Sequence, residues 1–222
     1  MDRRALLLGS LPAIGLVGCG VAVEAASERT TSTLPEITAP PPEEPIAVSL
    51  SLYLVEEAGS GAAAALSSQR TEEGLSIIAA DMGEVWAQAN VLFDPITIET
   101  IQIPTDVLQP IAAGLDSGPF FDQVGRSFDI SNPSEVNGFY VRTAGRANGF
   151  APSGSRVFFV IDEPSVHDER VSSHEVGHIF GLHHQLDDPG TLMFSGTNGT
   201  VLTEDEIVVA RYGAQGVLDG VR

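Results

Sequence analysis

The segment at residues 174–184 (HEVGHIFGLHH) constrains this chain more than any other part of its sequence, because it holds four of the five histidines. Residues four apart on a helix share one face, so His174 and His178 can present two imidazoles to one metal ion. Gly181 suits the end of such a helix, because glycine adopts positive φ at little cost. The turn that follows would bring His184 to the metal as a third ligand. Zinc binds neutral imidazole nitrogens and prefers four ligands, which leaves one position for water.

Glu175 directly follows the first histidine of this segment. One residue along a helix is a rotation of about 100°, so its carboxylate should lie beside the metal rather than on it. There it can act as general base toward a zinc-bound water, while zinc lowers the pKa of that water and polarises a substrate carbonyl. The pattern therefore predicts a zinc-dependent endopeptidase that hydrolyses peptide bonds, with Glu175 as the catalytic residue and His174, His178 and His184 as metal ligands.

The strongest alternative is a zinc site without catalysis, in a zinc-binding surface lipoprotein that acts in adhesion or metal handling. A structural zinc site usually closes with a fourth protein ligand. His183 is a candidate for that ligand, but it neighbours His184 and is expected to point elsewhere. His167 precedes the segment by about two helical turns and is expected on the surface. The spacing of the segment therefore favours catalysis.

The chain of 222 residues has a formal net charge of -19, and all eleven of its basic residues are arginine. Such an acidic surface repels nucleic acid and anionic lipid headgroups, so neither is expected as a partner. We expect a monomer that binds a protein or peptide substrate. Acidic pairs at residues 162–163 and 187–188 make Ca²⁺ a second candidate cofactor beside Zn²⁺, although such pairs more often form solvated loops or helix caps.

Residues 1–18 are predicted to be an export signal of the lipoprotein type. Two arginines precede an apolar stretch that is too short to span a membrane, and the stretch ends in Leu-Val-Gly-Cys with the only cysteine, Cys19. This resembles a lipobox, in which Cys19 would carry the lipid; an ordinary signal peptide is the alternative. Residues 19–45 are rich in proline, threonine and glutamate and predict an extended tether. We expect an exported protein, either a cell-envelope lipoprotein (outer surface or periplasm) or an extracellular one.

Strands alternate with helices along residues 46–222, which predicts one α+β domain. Strands are indicated by β-rich runs, helices by apolar residues three and four apart, and helix starts by capping boxes at Thr203 and at Ser165 with Asp168. The predicted strands lie at residues 46–55, 91–103, 138–143 and 156–161, and the predicted helices at residues 71–88, 165–180 and 203–212, with residues 104–122 irregular or helical.

Taken with Met193, which lies nine residues after His184, the histidine segment resembles the metzincin clan of zinc endopeptidases. The resemblance implies a twisted mixed sheet with long helices, an active-site helix, a methionine turn and a C-terminal helix. It implies that Met193 forms an apolar floor under the three imidazoles, and that a substrate strand pairs with an edge strand near residues 146–153. The layout is most similar to the matrixins. Ser195 stands where other families of the clan have a tyrosine.

Overall fold

The computed structural model describes residues 44–59, 64–115, 117–127, 132 and 134–221. The predicted export signal, Cys19 and the tether up to residue 43 lie outside the described residues. No helix within these ranges has the length and hydropathy that a membrane span requires. The strands are β1 (Ile46–Glu57), β2 (Val91–Ile103), β3 (Glu135–Val141), β4 (Gly149–Phe150) and β5 (Val157–Ile161), and the helices are α1 (Glu72–Trp86), α2 (Thr105–Ala112), α3 (Gly118–Ser127), α4 (Asp168–Ile179) and α5 (Glu204–Leu218).

The five strands form one mixed sheet in the order β2-β1-β3-β5-β4. The first four are parallel, and the two-residue β4 runs antiparallel to β5 at the edge. Strand β1 is central, and its residues from Leu50 to Val55 are all buried, as expected for a parallel strand that is covered on both faces. The register between β1 and β2 shifts opposite Pro95, which has no backbone N–H to donate to the ladder.

Successive residues of β1 alternate between two apolar clusters, one on each face of the sheet. Leu50, Leu52 and Leu54 pack in the cluster that also contains buried residues of α1, α4 and α5. Tyr53 and Val55 pack in the other cluster, with buried residues of α2 and α3. The histidine segment begins on α4, and α4 packs on the larger of the two clusters.

The predicted strands and the predicted first and last helices are confirmed, with boundaries that differ by a few residues. The segment predicted as irregular or helical forms α2 and α3. Helix α5 continues to Leu218 rather than ending near residue 212, and its added turns bury Gly213, Ala214, Gly216 and Val217. Its face of small residues comes close to Phe180, at the end of α4. At Gly213 this approach is so close that a Cβ atom would lie 2.0 Å from the Phe180 carbonyl oxygen.

The predicted capping box at the start of α4 is wrong. The N-cap residue of α4 is His167, which makes no side-chain capping hydrogen bond. The Ser165 hydroxyl instead accepts a hydrogen bond from Asn148 Nδ2 at 2.8 Å. The Asp168 carboxylate is bound by both terminal nitrogens of Arg70, at 2.7 and 2.9 Å. The side chain of Asp168 is therefore held by a distant arginine, and no side chain caps the N–H groups of the first turn of α4.

Candidate metal centre

Helix α4 carries His174, Glu175 and His178 and ends in a motif that turns the chain back. The Leu182 N–H donates to the Gly177 carbonyl at 2.8 Å, and the Gly181 N–H donates to the His178 carbonyl at 3.1 Å. These two bonds are those of a Schellman motif, which requires a left-handed residue after the helix. Gly181, with φ of 92°, fills that position as its sequence position predicts. The turn brings the chain back toward the helix, so that the next histidines return to its exposed end.

The structure brings together the three histidines predicted as ligands. The Nε2 atom of His184 lies 3.1 Å from Nε2 of His174 and 3.2 Å from Nε2 of His178. The Nδ1 atom of His174 lies 2.8 Å from the Leu192 carbonyl, and Nδ1 of His178 lies 3.0 Å from the Leu182 carbonyl. A carbonyl oxygen only accepts, so both Nδ1 atoms must carry the proton and both Nε2 atoms present lone pairs.

Converging Nε2 lone pairs repel one another unless a cation lies between them. Tetrahedral zinc with bonds of 2.0–2.1 Å separates its ligand nitrogens by about 3.3 Å, close to the separations seen here. The three imidazoles therefore fit zinc in donor type and spacing, and His174 and His178 fit it in tautomer as well. Within the described ranges, no other group of three or more histidine, cysteine or carboxylate side chains converges in this way. His183 is exposed and outside the group, and the exposed His167 lies 3.5 Å from Glu169.

Burial favours the neutral form of two of the three predicted ligand imidazoles, His174 and His178, and the neutral form is the one that binds metal. Burial lowers the pKa of His174 to about 4, although the Leu192 carbonyl opposes the shift, and it lowers the pKa of His178. Burial raises the pKa of the adjacent Glu175 to about 8, against the opposing effects of the Arg170 charge and the Ala151 backbone N–H. The site thus combines neutral ligands with a carboxyl that can exchange a proton near neutral pH.

The turn that contains Met193 lies under α4 and holds the first ligand. Met193 is fully buried, and its Sδ atom would lie 2.7 Å from a Cβ placed on Gly177. This contact puts the methionine against the helix between the two histidines, as the sequence resemblance implies. The neighbouring Leu192 carbonyl is the partner of His174 Nδ1. Glycine at position 177 is therefore what lets helix and turn approach so closely.

Arg170 ties this turn to α4 and was missed by the sequence analysis. Its guanidinium is buried and donates to the Leu192 carbonyl at 2.9 Å and to the Phe194 carbonyl. The Leu192 carbonyl therefore accepts hydrogen bonds from both Arg170 and His174. A signal was present, because Arg170, His174 and His178 follow one another at four-residue spacing on one helix face.

Strand β4 passes close to α4 and leaves one edge without a partner strand in the described part of the chain. A Cβ on Gly149 would lie 2.7 Å from the Phe159 carbonyl and 3.1 Å from Glu175 Cγ, so only glycine permits this approach. The Ala151 N–H, just after β4, donates to Glu175. A cavity of about 420 Å³ lies between this strand and the histidines, with Ser195 in its wall. The edge strand falls within residues 146–153, as the resemblance implies.

The described structure does not support the calcium prediction. The Asp162 carboxylate accepts from the Ser68 hydroxyl at 2.6 Å and from the Gln69 N–H at 2.7 Å, and it pairs with Arg142 at 3.2 Å. Asp188 accepts from the Gly190 N–H at 2.8 Å. These carboxylates hold turns and arginines together, so they are not free to converge on a cation.

Comparisons with known proteins add a fold likeness. No family model matches the chain, and no curated protein sequence matches it. Archaemetzincin from Methanopyrus kandleri is 14% identical, with a TM-score of 0.46 over 78% of this chain and 95% of that protein. Metalloproteinase-II from Bacteroides fragilis is also 14% identical, with a TM-score of 0.51 over 78% of this chain. This chain spans 55% of the Bacteroides protein. The second likeness is one of fold and agrees with the predicted α+β class.

Proposed function

We propose that this protein is a zinc-dependent endopeptidase of the metzincin type, in which His174, His178 and His184 bind Zn²⁺ and Glu175 is the general base. The observation that carries the proposal is the meeting of three Nε2 atoms within 3.2 Å, while the Nδ1 atoms of two of these histidines face backbone carbonyls. That arrangement binds a metal and has no simpler structural purpose. The buried Glu175 beside it supplies the carboxylate that hydrolysis requires.

When bound, zinc supplies a Lewis acid that polarises the substrate carbonyl and makes water more acidic. The part of Glu175 is to take a proton from the attacking water and return it to the leaving amine. Burial raises the pKa of this carboxyl to about 8 in the metal-free protein, and the positive charge of bound zinc would lower that pKa and favour the carboxylate form that accepts a proton. Arg170 holds the turn that orients His174, so its role is to position a ligand rather than to react.

The free edge of β4 fits an extended peptide as substrate. A chain that adds to a sheet edge is bound through its backbone, largely independently of its side chains. The Ala151 N–H that follows β4 reaches Glu175, so a peptide lying on this edge would have its backbone next to the general base. This supports cleavage within a peptide chain rather than hydrolysis of another kind of bond.

The alternative of a non-catalytic zinc-binding protein is less well supported. Such a site would close with a fourth protein ligand. Among the residues that the structure describes, three ligand atoms converge and His183 is not one of them. The adjoining cavity leaves space on the side of the histidines that faces β4.

The test compares Glu175→Ala with Glu169→Ala, a control that removes a carboxylate from the first turn of the same helix. Both proteins should bind about one equivalent of zinc, measured by elemental analysis. Glu175→Ala should cleave a mixed peptide library at least about 100-fold more slowly than wild type, while Glu169→Ala should match wild type. A chelator should abolish all cleavage. Wild-type cleavage rates in Glu175→Ala would contradict the mechanism, and a zinc-loaded wild type that cleaves nothing would favour the non-catalytic alternative.

We also propose that the domain is exported as a monomer and anchored through a lipid at Cys19, with residues 19–45 as the tether. The proposal rests on the lipobox-like sequence and the proline-rich composition alone. In cells, the wild-type protein should take up labelled palmitate and partition into detergent. Cys19→Ser should do neither, and label in Cys19→Ser would contradict the proposal.

A further inference from the structure

We propose that Arg156 determines substrate specificity by binding a carboxylate of the peptide substrate beside the metal centre. The inference rests on the proposed peptidase function and adds a substrate class to it. It concerns a second cavity, of about 500 Å³, that lies between the end of β4 and the end of α4. Arg156 and the ligand His178 both line this cavity, so a group bound there lies next to the metal centre.

The Arg156 guanidinium has no acceptor among the residues that the structure describes. Its Nε and Nη2 atoms are buried from solvent and make no hydrogen bond. A guanidinium is always protonated, so these are charged donors that have lost water without gaining a partner. Buried donors are normally paired. The third nitrogen, Nη1, is not among the buried atoms, so it is the donor through which a group in the adjoining cavity can reach this charge.

The other arginines show how unusual this is in a chain with a net charge of -19. Among those whose side chains are described, Arg70 and Arg142 pair with carboxylates, while Arg170 and Arg211 donate to backbone carbonyls. Arg146 is exposed, so water can solvate it. The Nε atoms of Arg70 and Arg170 are also buried without a partner, but among these arginines only Arg156 has a terminal nitrogen in the same state and no hydrogen bond elsewhere on its guanidinium.

The backbone around Arg156 is held in place, so its side chain starts from a fixed point. The Arg156 carbonyl accepts from the Asn137 N–H of β3 at 2.9 Å. The preceding Ser155 hydroxyl donates to the Pro152 carbonyl at 2.7 Å and closes the turn that follows β4. A rigid support reduces the entropy that ordering a binding site would cost.

Carboxylate is the ligand chemistry that this site fits. A carboxylate combines negative charge with oxygens that accept from a guanidinium N–H, so it binds an accessible arginine nitrogen through a charge-assisted hydrogen bond. A peptide lying along β4 can offer this group from an aspartate or glutamate side chain, or from its own C-terminus. An acidic protein also repels acidic peptides at long range, so a local positive site would select where along such a peptide the cleavage occurs.

The experiment uses the zinc-loaded full chain and variants of one peptide that the wild type cleaves. In the first set both termini are blocked, and each position in turn carries either glutamate or its isostere glutamine. The positions tested lie within about four residues of the scissile bond, because a side chain farther along an extended peptide would not reach the cavity. In the second set the C-terminus is either free or amidated. At one position, or at the free C-terminus, the carboxylate form should have a kcat/KM at least about tenfold higher than its neutral counterpart.

Arg156→Gln should bring the ratio of the two kcat/KM values close to one, and Arg156→Lys should retain part of the preference. The control is Arg142→Gln, which removes an arginine already paired with Asp162 and should leave the ratio unchanged. Circular dichroism and thermal unfolding report whether each variant folds. A ratio near one in the wild type, or an unchanged ratio in folded Arg156→Gln, would overturn the inference while leaving the peptidase function intact.

Binding separates this proposal from the function on which it rests. The Glu175→Ala protein should bind a fluorescent glutamate peptide at least about tenfold more tightly than the glutamine peptide, measured by anisotropy. Adding Arg156→Gln should remove that difference. If the wild type cleaves no peptide, the peptidase function fails, and the anisotropy measurement still tests Arg156 by itself.

Discussion

Helices α4 and α5 cover the same face of the sheet but are specified in different ways. Helix α5 begins with a complete capping box, in which Thr203 and Glu206 satisfy each other's backbone N–H groups. Helix α4 begins without a side-chain cap. Its first residue, Asp168, is held by Arg70, which lies 98 positions earlier in the chain. One helix start is specified locally, and the other depends on the completed fold.

The residues that the two helices bury also differ in kind. Helix α4 buries Ser172, Ser173, His174 and Glu175 in succession, whereas α5 buries mainly small residues that let it lie close to its neighbour. Burying so many polar groups is unfavourable unless each has a partner. For His174 that partner is the turn at Leu192 and, in our proposal, a metal ion. Helix α5 also buries a group that needs a distant partner, since Arg211 donates to the Ala89 carbonyl, but in the described residues only α4 brings buried polar groups to the candidate metal site.

The largest expected effect follows from metal binding. Zinc at about 1,000 times its Kd should stabilise the protein by about 4 kcal/mol. His184→Ala should lose this gain, while His183→Ala, at the exposed neighbouring histidine, should retain it. Thermal unfolding with and without chelator measures the gain. Hydrogen exchange should show that zinc slows the exchange of amides in α4 more than in α5. Equal protection of both helices would mean that α4 does not depend on the metal more than α5 does.

The next effect tests the contact between the helices. Gly213→Ala should destabilise the protein by about 3 kcal/mol or more, because the new Cβ would meet the rigid backbone of Phe180. Gly177→Ala should cost less, about 1–2 kcal/mol, because its Cβ would meet the flexible side chain of Met193.

The control for both substitutions is Gly83→Ala in α1, where a Cβ meets nothing within 4 Å. That variant should gain about 0.5–1 kcal/mol, because alanine favours the helix. Urea unfolding gives all three values. A milder effect at Gly213 than at Gly177 would show that α5 can move away from α4.

Removing the distant support of α4 should have a moderate effect. Arg70→Met leaves Asp168 without its cation and should cost about 2 kcal/mol, below the value for a fully buried pair because Asp168 is partly exposed. The control is Arg142→Met, at a more exposed arginine, which should cost about 0.5 kcal/mol or less. Urea unfolding measures both, and equal costs would mean that Arg70 does not organise α4.

Local spacing accounts for the parts of the structure that the sequence could predict. The four-residue interval of His174 and His178, the glycine at 181 and the methionine at 193 are short-range features, and the structure brings all of them to one place. The strands and α1 followed from apolar periodicity in the same way. Each of these signals is read within about ten residues, where chain geometry determines which side chains meet.

The features that could not be predicted depend on residues far apart in the chain. Arg70 binds the Asp168 carboxylate, and Asn148 donates to the Ser165 hydroxyl. Both side chains of a motif that resembles a cap in the sequence therefore bind distant residues and do not cap α4. The need for glycine at 149 depends on how closely β4 approaches α4. The unpaired guanidinium of Arg156 is visible only once the surrounding residues are in place. A side chain that has several possible partners is assigned to one of them by the fold.

The smallest expected effect compares two serine and threonine hydroxyls that resemble helix caps in the sequence. Thr203→Ala should cost about 1 kcal/mol, because its hydroxyl accepts from the Glu206 N–H at 3.2 Å and caps α5. Ser165→Ala should cost less than about 0.5 kcal/mol, because its hydroxyl lies on an exposed contact with Asn148 and caps nothing. Urea unfolding of the two variants side by side resolves the difference. If Ser165→Ala proved as costly as Thr203→Ala, the start of α4 would be specified locally after all, and the contrast between the two helices would rest on their buried residues alone.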